Sequence, residues 1–266
     1  MASTPSEQGT KANPAASGGP RLAVVVPVHN ETENLGPLIG EIAAALSGGA
    51  PFEIIYVDDG STDETFAKLK EIAASEPRLR VLRHVKCCGQ SAAIWTGVKN
   101  ARAPLIVTLD GDGQNDPADI PALWAKYNEE GGGEKLMIAG LRAKRQDTCI
   151  RRLSSRIANM VRSALLRDET LDTGCGLKVF PREAFLMFPR FDHMHRYMPA
   201  LMIRLGGRVL SVAVNHRPRE RGTSKYGVWN RLWVGIVDLF GVIWLQRRGS
   251  KPEVVEETPN GAGSAQ

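Results

Sequence analysis

An apolar run, Leu105 to Leu109, ends abruptly in Asp110-Gly111-Asp112-Gly113-Gln114-Asn115-Asp116-Pro117. An unbroken apolar, β-branched run of this kind reads as a strand buried on both faces, as inside a parallel sheet. Asp110 and Asp112 occupy alternate positions, so both can point to one side where the strand opens into a loop. Two carboxylates held that close repel each other unless a cation lies between them. Oxygen ligands suit a hard divalent ion such as Mg²⁺ or Mn²⁺, itself able to carry substrate phosphates. Asp-Gly-Asp-Gly is also ordinary turn chemistry, so the rest of the chain has to decide between the two.

The same theme occurs upstream. Leu22 to Val28 reads as a buried strand running into His29-Asn30-Glu31-Thr32-Glu33-Asn34. Phe52 to Val57 is a second strand, ended by Asp58-Asp59-Gly60-Ser61-Thr62-Asp63-Glu64, and Arg80 to His84 is a third. Between them, Leu35, Leu38, Ile39, Ile42 and Leu46 fall at helical spacing until Gly48-Gly49. Ser61 and Glu64 predict a capping box for a helix through Ala73. Gly89 to Ala101 and Pro117 to Tyr127 read as further helices, and Lys135 to Leu141 as a further strand. This alternation predicts an α/β fold, a mostly parallel sheet with helices on both faces. Ligands in such sheets bind beyond the carboxyl ends of the strands, where three strand ends of this chain deliver acids. No Gly-x-Gly-x-x-Gly and no Gly-Lys-Ser/Thr loop is present, which removes a dinucleotide fingerprint and a P-loop.

The net charge is +5 over 266 residues. Basic residues gather at Arg142, Lys144, Arg145, Arg151, Arg152, Arg156 and Arg162, at Arg217 to Lys225, and at Arg247, Arg248 and Lys251. Such clusters suit phosphates or an anionic surface. A nucleic-acid-binding module would explain the charge but not the acids at the strand ends, and no aromatic stacking set accompanies it. Cys87, Cys88, Cys149 and Cys175 show neither a CxxC pair nor zinc spacing, which fits a reducing compartment.

Taken together, Val24-Val25-Val26-Pro27-Val28-His29-Asn30-Glu31, Val57-Asp58-Asp59-Gly60-Ser61-Thr62-Asp63, Gly89-Gln90-Ser91, the Asp110 to Pro117 loop, Asp172-Thr173-Gly174-Cys175-Gly176 and Arg219-Glu220-Arg221-Gly222-Thr223-Ser224-Lys225-Tyr226 resemble the family 2 glycosyltransferases of GT-A fold. Within that family the order is most similar to the polyprenyl-phosphate, dolichol-phosphate mannose synthase-like branch, over roughly residues 21 to 245. The resemblance implies that Pro27, Asn30, Glu31, Asp59, Asp110 and Lys225 hold the nucleotide, and that Asp110, Asp112 and Gln114 bind a metal bridging its diphosphate. It implies an acceptor-phosphate site from Arg142, an arginine at Arg151 or Arg152, a serine at Ser154 or Ser155, and Arg219. Asp112, Arg142 and Asp172 are the candidate catalytic residues. The implied reaction is inverting, metal-dependent transfer of a sugar from a GDP- or UDP-sugar to a polyprenyl phosphate. The alternative is transfer to a lipid or polysaccharide hydroxyl in envelope glycan synthesis, where Asp172 would be the base. The Gln-x-x-Arg-Trp signature of processive polymer synthases is absent.

A helix is expected from Cys149 to Leu166, with arginines on its first turns. The run Trp229 to Leu245 is strongly apolar but interrupted by Asp238 and flanked by Arg231 and Arg247-Arg248. It is short for a span, and its tryptophans and arginines suit a helix lying in a headgroup layer; a core or oligomer helix is the rival reading. The expected organisation is a disordered tail over 1–20, a GT-A domain over 21–228, an amphipathic membrane-interface helix over 229–248 and a second disordered tail over 249–266. The expected place is peripheral, on the cytoplasmic face of the membrane. The expected partners are donor, lipid acceptor and membrane surface, with a membrane protein or a second copy as a further partner, and no nucleic acid.

Overall fold

Along β1 (Leu22–Val28) successive side chains enter two different cores. Leu22, Val24, Val26 and Val28 pack on one face of the sheet, Ala23 and Val25 on the other. β2 (Phe52–Asp58) divides likewise, Ile54 and Tyr56 against Ile55 and Val57. Burial on both faces is why these strands read as largely apolar runs, with Glu53 inside β2 paired to Arg80 at 2.6 Å. Each such apolar side chain contributes about 1.5–3 kcal/mol when taken fully out of water. This computed structural model describes residues 18–142, 166, 172–218 and 228–248, of which 228–234 as helix backbone only.

The first core is closed by α1 (Leu35–Ala45), α2 (Thr65–Ser75) and α4 (Ile120–Glu129). The second is closed by α3 (Gln90–Asn100), α5 (Arg182–Leu186) and α6 (Met198–Arg204). With β3 (Leu79–Arg83), β4 (Leu105–Thr108), β5 (Leu136–Arg142), β6 (Lys178–Pro181) and β7 (Arg208–Val214), the described residues form a sheet of seven strands in the order β3-β2-β1-β4-β6-β5-β7. β6 runs antiparallel between β4 and β5; every other pairing is parallel.

Two local expectations need correction. The start of α2 carries no capping box: Glu64 makes no side-chain cap bond, and the Ser61 hydroxyl accepts instead from the Asn30 amide at 2.9 Å. The Asp63 carboxylate takes the Thr65 amide at 3.0 Å. The sheet also gains two strands and two helices after Asp172 that the apolar pattern did not reveal. The expected Cys149 to Leu166 helix lies outside the described residues except for Leu166, which is helical and buried in the second core.

The helix predicted from Trp229 is present as α7 (Val228–Arg247). Val242 is fully buried, and Leu239 and Ile243 pack on the second core. Asp238, which interrupts the run, faces inward, with its Oδ2 3.2 Å from His193 Nδ1. The Tyr197 hydroxyl donates to the Gly235 carbonyl at 2.9 Å and Arg204 Nε to the Leu245 carbonyl at 3.0 Å. The opposite stripe holds Ile236, Val237, Phe240 and Trp244, from 38% to 66% exposed, and ends at Arg247 and Arg248. Among the described residues no helix is long and apolar enough to cross a membrane.

Candidate active site

The carboxyl ends of β1, β2 and β4 open into one cleft of about 660 Å³. Pro27, His29 and Glu31 reach it from β1, Asp59 from β2, and Asp110, Asp112 and Gln114 from β4. Gly89 and Gln90 at the start of α3 form one wall; Thr173 to Gly176, Lys178, His195, Arg196 and Met198 form another. The acids predicted to converge therefore do so, with one exception. Asp58 is fully buried away from the cleft, where its Oδ1 accepts the Ser61 amide at 3.1 Å and its Oδ2 lies 3.2 Å from Arg83 Nε.

Asp59 sits in a cup of donors. Its Oδ1 accepts from the Cys88 amide at 2.8 Å and from His84 Nδ1 at 2.7 Å; its Oδ2 accepts from the Gly89 amide at 2.7 Å and the Cys87 thiol at 3.3 Å. Burial pushes this carboxyl up, but the Cys88 amide, His84, Cys87 and the Gly89 amide together hold it below its ordinary value. It is a fixed anion facing the cleft. Gly60, at φ +66°, lets the Lys86–Cys87 backbone approach closer than any Cβ would allow, which brings these donors over Asp59. Ligand atoms of Asp59, His84 and Cys88 lie within 4.8 Å of one another. That set is internally hydrogen-bonded, His84 Nε2 also pairing with the Thr96 hydroxyl at 2.9 Å.

Asn30, predicted on the nucleotide, is not among the cleft-lining residues. At φ +54° it turns the chain, its Oδ1 accepting the Thr62 amide at 2.8 Å. It joins the loop after β1 to the loop after β2. Glu31 lines the cleft and accepts from Asn34 Nδ2 at 2.8 Å. His29 Nδ1 donates to the Asp59 carbonyl at 2.8 Å.

The Asp110 carboxyl is pushed up to about 6 by burial and by the nearby Asp112, against the pull of Lys178, Arg142 and Gln90. Gln90 Nε2 donates to its Oδ1 at 2.8 Å. Asp112 Oδ1 accepts the Gln114 amide at 3.1 Å. A carboxylate kept reluctant to ionise by burial and by a second carboxylate is what a divalent cation would relieve, and the all-oxygen set Asp110, Asp112 and Gln114 suits Mg²⁺ or Mn²⁺. The loop is held from behind: the Arg217 amide donates to the Gln114 carbonyl at 2.9 Å, and Arg217 pairs with Glu41 at 2.7 Å and Asp116 at 2.6 Å.

A Cβ at Gly176 would collide with the Asp110 carboxylate. Gly176→Ala should therefore leave the sheet intact and lower transfer on the order of 10²-fold by displacing Asp110. Activity measured beside the melting temperature checks this; full activity would mean the carboxylate tolerates the shift.

Asp172 and Arg142 form a buried fork: Nε to Oδ2 at 2.6 Å and Nη2 to Oδ1 at 2.8 Å. Neither lines the cleft directly; Thr173 and Gly174 do. Asp172 thus stands behind the wall that its own loop forms. Lys225, Arg151, Arg152, Ser155 and Arg219 lie outside the described residues.

Three cleft residues escaped sequence reasoning. Lys178 is 3% exposed, donates to the Cys175 carbonyl, and is pushed down by burial against the pull of Cys175, Asp110 and Asp172. Its signal was a lone lysine within an apolar strand. His195 pairs with the Ser91 hydroxyl at 2.8 Å. Burial, with Arg196 and Lys178 nearby, pushes its imidazole down to about 3, so it stays neutral. Arg196 follows it and had no local signal.

A mostly parallel sheet with acids gathered beyond adjoining strand ends, and β6 reversed beside them, is the GT-A type of fold. Residues 23–186 match glycosyl transferase family 2, and the chain belongs to that family. It is 35% identical over 236 residues to the dodecaprenyl-phosphate galacturonate synthase of Rhizobium johnstonii, covering 87% of this chain and 69% of that protein. It is 36% identical over 208 residues to the undecaprenyl-phosphate 4-deoxy-4-formamido-L-arabinose transferase of Pectobacterium atrosepticum, covering 77% of this chain and 62% of that one. Among solved structures, the mannosyltransferase PcManGT from Pyrobaculum calidifontis, in complex with GDP-Man and Mn²⁺, superposes with a TM-score of 0.63 at 20% identity, over 89% of this chain and 67% of that chain. Glucosyl-3-phosphoglycerate synthase from Mycobacterium tuberculosis, in complex with UDP, gives 0.62 at 19% identity, over 86% and 80%.

Proposed function

We propose that this glycosyltransferase moves a sugar, with inversion, from a nucleotide diphosphate to a polyprenyl phosphate in envelope glycan synthesis. The observation that carries the reading is the convergence of Asp59, Asp110, Asp112 and Gln114 on one cleft. The names of both similar relatives, which pair a polyprenyl phosphate with a sugar, support the acceptor.

Asp59, an anion fixed by surrounding donors, would accept a base N–H, with Pro27 and Glu31 beside it. Asp110, Asp112 and Gln114 would hold Mg²⁺ or Mn²⁺. When bound, such an ion neutralises charge growing on a departing diphosphate. Gln90 orients Asp110 from the start of α3. A lipid monophosphate, with a second pKa near ~6, is already largely a dianion at neutral pH and needs no base. This agrees with Asp172, whose two oxygens are both held by Arg142. Asp172 is thereby a positioning residue, not a proton acceptor. Arg151 or Arg152, Ser154 or Ser155, and Arg219 remain proposed acceptor-phosphate ligands by resemblance, and Lys225 a proposed nucleotide ligand.

The test is a panel of GDP-mannose, UDP-glucose and UDP-galacturonate, each radiolabelled, with undecaprenyl phosphate and Mg²⁺ or Mn²⁺. Label should enter the lipid from one donor and stop with EDTA. Label reaching only added lipid alcohols would replace the phosphate acceptor with a hydroxyl.

The outward stripe of α7 would lie on a bilayer, apolar side chains in the acyl boundary and Arg247 and Arg248 at the phosphates. The peripheral, cytoplasmic-face placement belongs to this reading. Phe240→Ser with Trp244→Ser should lower binding to phosphatidylglycerol vesicles at least about tenfold, since two large apolar side chains leave the membrane. Unchanged flotation would point instead to a protein partner or a second copy on that stripe.

A further inference from the structure

Of the described residues lining the cleft, Lys178 and Arg196 are the only lysine or arginine. Lys178 is buried and engaged: it donates to the Cys175 carbonyl and faces Asp110 and Asp172. Arg142, expected as a phosphate ligand, has its guanidinium on Asp172. Arg196 differs from both. Among the described residues no carboxylate stands within ion-pair distance of it, although Glu31, Asp59, Asp110 and Asp112 line the same cleft. His195 beside it is neutral, so the turn offers the cleft one positive charge, on a planar fork.

The backbone carrying that fork is fixed on both sides. The His195 amide donates to the Ser91 hydroxyl at 3.2 Å, and the His195 ring pairs with the same hydroxyl at 2.8 Å, which ties the turn to the first residues of α3. Ser91 is buried. After Arg196, the Tyr197 hydroxyl is bonded to Gly235 of α7; before it, His193 meets Asp238 of the same helix. His193 holds a left-handed φ of +62°, uncommon for a residue with a side chain. An arginine on an anchored turn, facing the cleft with no counter-ion at pairing distance among the described residues, is suited to an oxyanion that arrives with a ligand.

We propose that Arg196 is a phosphate-binding residue of the cleft, engaging a substrate phosphate that no other described cation is free to take. The inference rests on the glycosyltransferase reading. Two phosphates enter such a cleft, the donor diphosphate and the acceptor monophosphate, and they share the chemistry that Arg196 recognises. Arg196 thereby belongs to substrate positioning, separate from the acids that would hold the cation.

The test compares wild type, Arg196→Ala and Arg196→Lys. Binding of undecaprenyl phosphate in detergent micelles, and of UDP and GDP with Mn²⁺, is titrated on each, alongside KM for both substrates. Loss of a charge-assisted fork should weaken one of the two phosphates by about 10- to 100-fold, with lysine restoring part of it. A rise confined to undecaprenyl phosphate assigns the fork to the acceptor; a rise confined to the nucleotides assigns it to the donor. Both affinities within twofold of wild type in Arg196→Ala would overturn the proposal. Should Arg196→Ala not fold, Arg196→Lys and Arg196→Gln decide by the same criterion. Absence of sugar transfer by wild type would sink the functional reading alone, because the binding titrations need no turnover.

Discussion

Asp110→Asn should abolish sugar transfer and at the same time make the metal-free protein more stable. The folded chain holds the Asp110 carboxyl near a pKa of about 6, whereas an unfolded aspartate titrates near ~3.9. Between these values the folded state keeps a proton that the unfolded state has released. Metal-free stability must therefore fall as pH rises through that window, and the deficit is complete above the folded value. The asparagine removes the charge and with it the deficit, on the order of 1–2 kcal/mol after allowance for contact with the solvent in the cleft. Transfer should drop on the order of 10³-fold, since the carboxylate best placed to hold the ion is gone. Urea unfolding in EDTA at about pH 5 and pH 7.5 reads the first effect; the radiolabel assay reads the second. A variant destabilised at the higher pH and still active would mean that Asp110 neither strains the fold nor serves the reaction.

Arg142→Ala should be the most destabilising single change at the site. It strips Asp172, which is 5% exposed, of both charge-assisted bonds. Removing one partner of a buried ion pair costs about 3–5 kcal/mol, far more than the intact pair contributes. Arg142→Ala with Asp172→Ala together should consequently be more stable than Arg142→Ala alone. Denaturant midpoints of the three proteins settle the order. Equal midpoints for the single and double variants would show that Asp172 finds another counter-charge.

How far the sequence reveals this molecule follows from burial. β1, β2 and β4 are covered by helices on both faces, so Leu22 to Val28, Phe52 to Val57 and Leu105 to Leu109 appear as largely apolar runs, broken at Glu53, which pairs with Arg80, and at Thr108, and the acids after them mark the ligand edge. β6 is short and carries Lys178 in its first position, and β7 is a largely exposed edge; neither leaves a comparable run. The capping box failed because Asn30, far away in sequence, claims the Ser61 hydroxyl. Asp59 and Asp110 were legible because their chemistry and spacing are local. His195 was not, since what places it is Ser91, distant along the chain. The amphipathic character of α7 was visible, but its sense was not. Asp238 turns inward to His193 on the face that packs Leu239, Val242 and Ile243, and a second apolar stripe is left outside.

The most direct test is calorimetric titration of UDP and GDP into wild type and Asp110→Asn, with Mn²⁺ and with EDTA. One nucleotide should bind wild type in Mn²⁺, with affinity falling at least about tenfold in EDTA, and the variant should behave in Mn²⁺ as wild type does in EDTA. Equal binding in all four conditions would contradict a shared cation beneath the β4 acids.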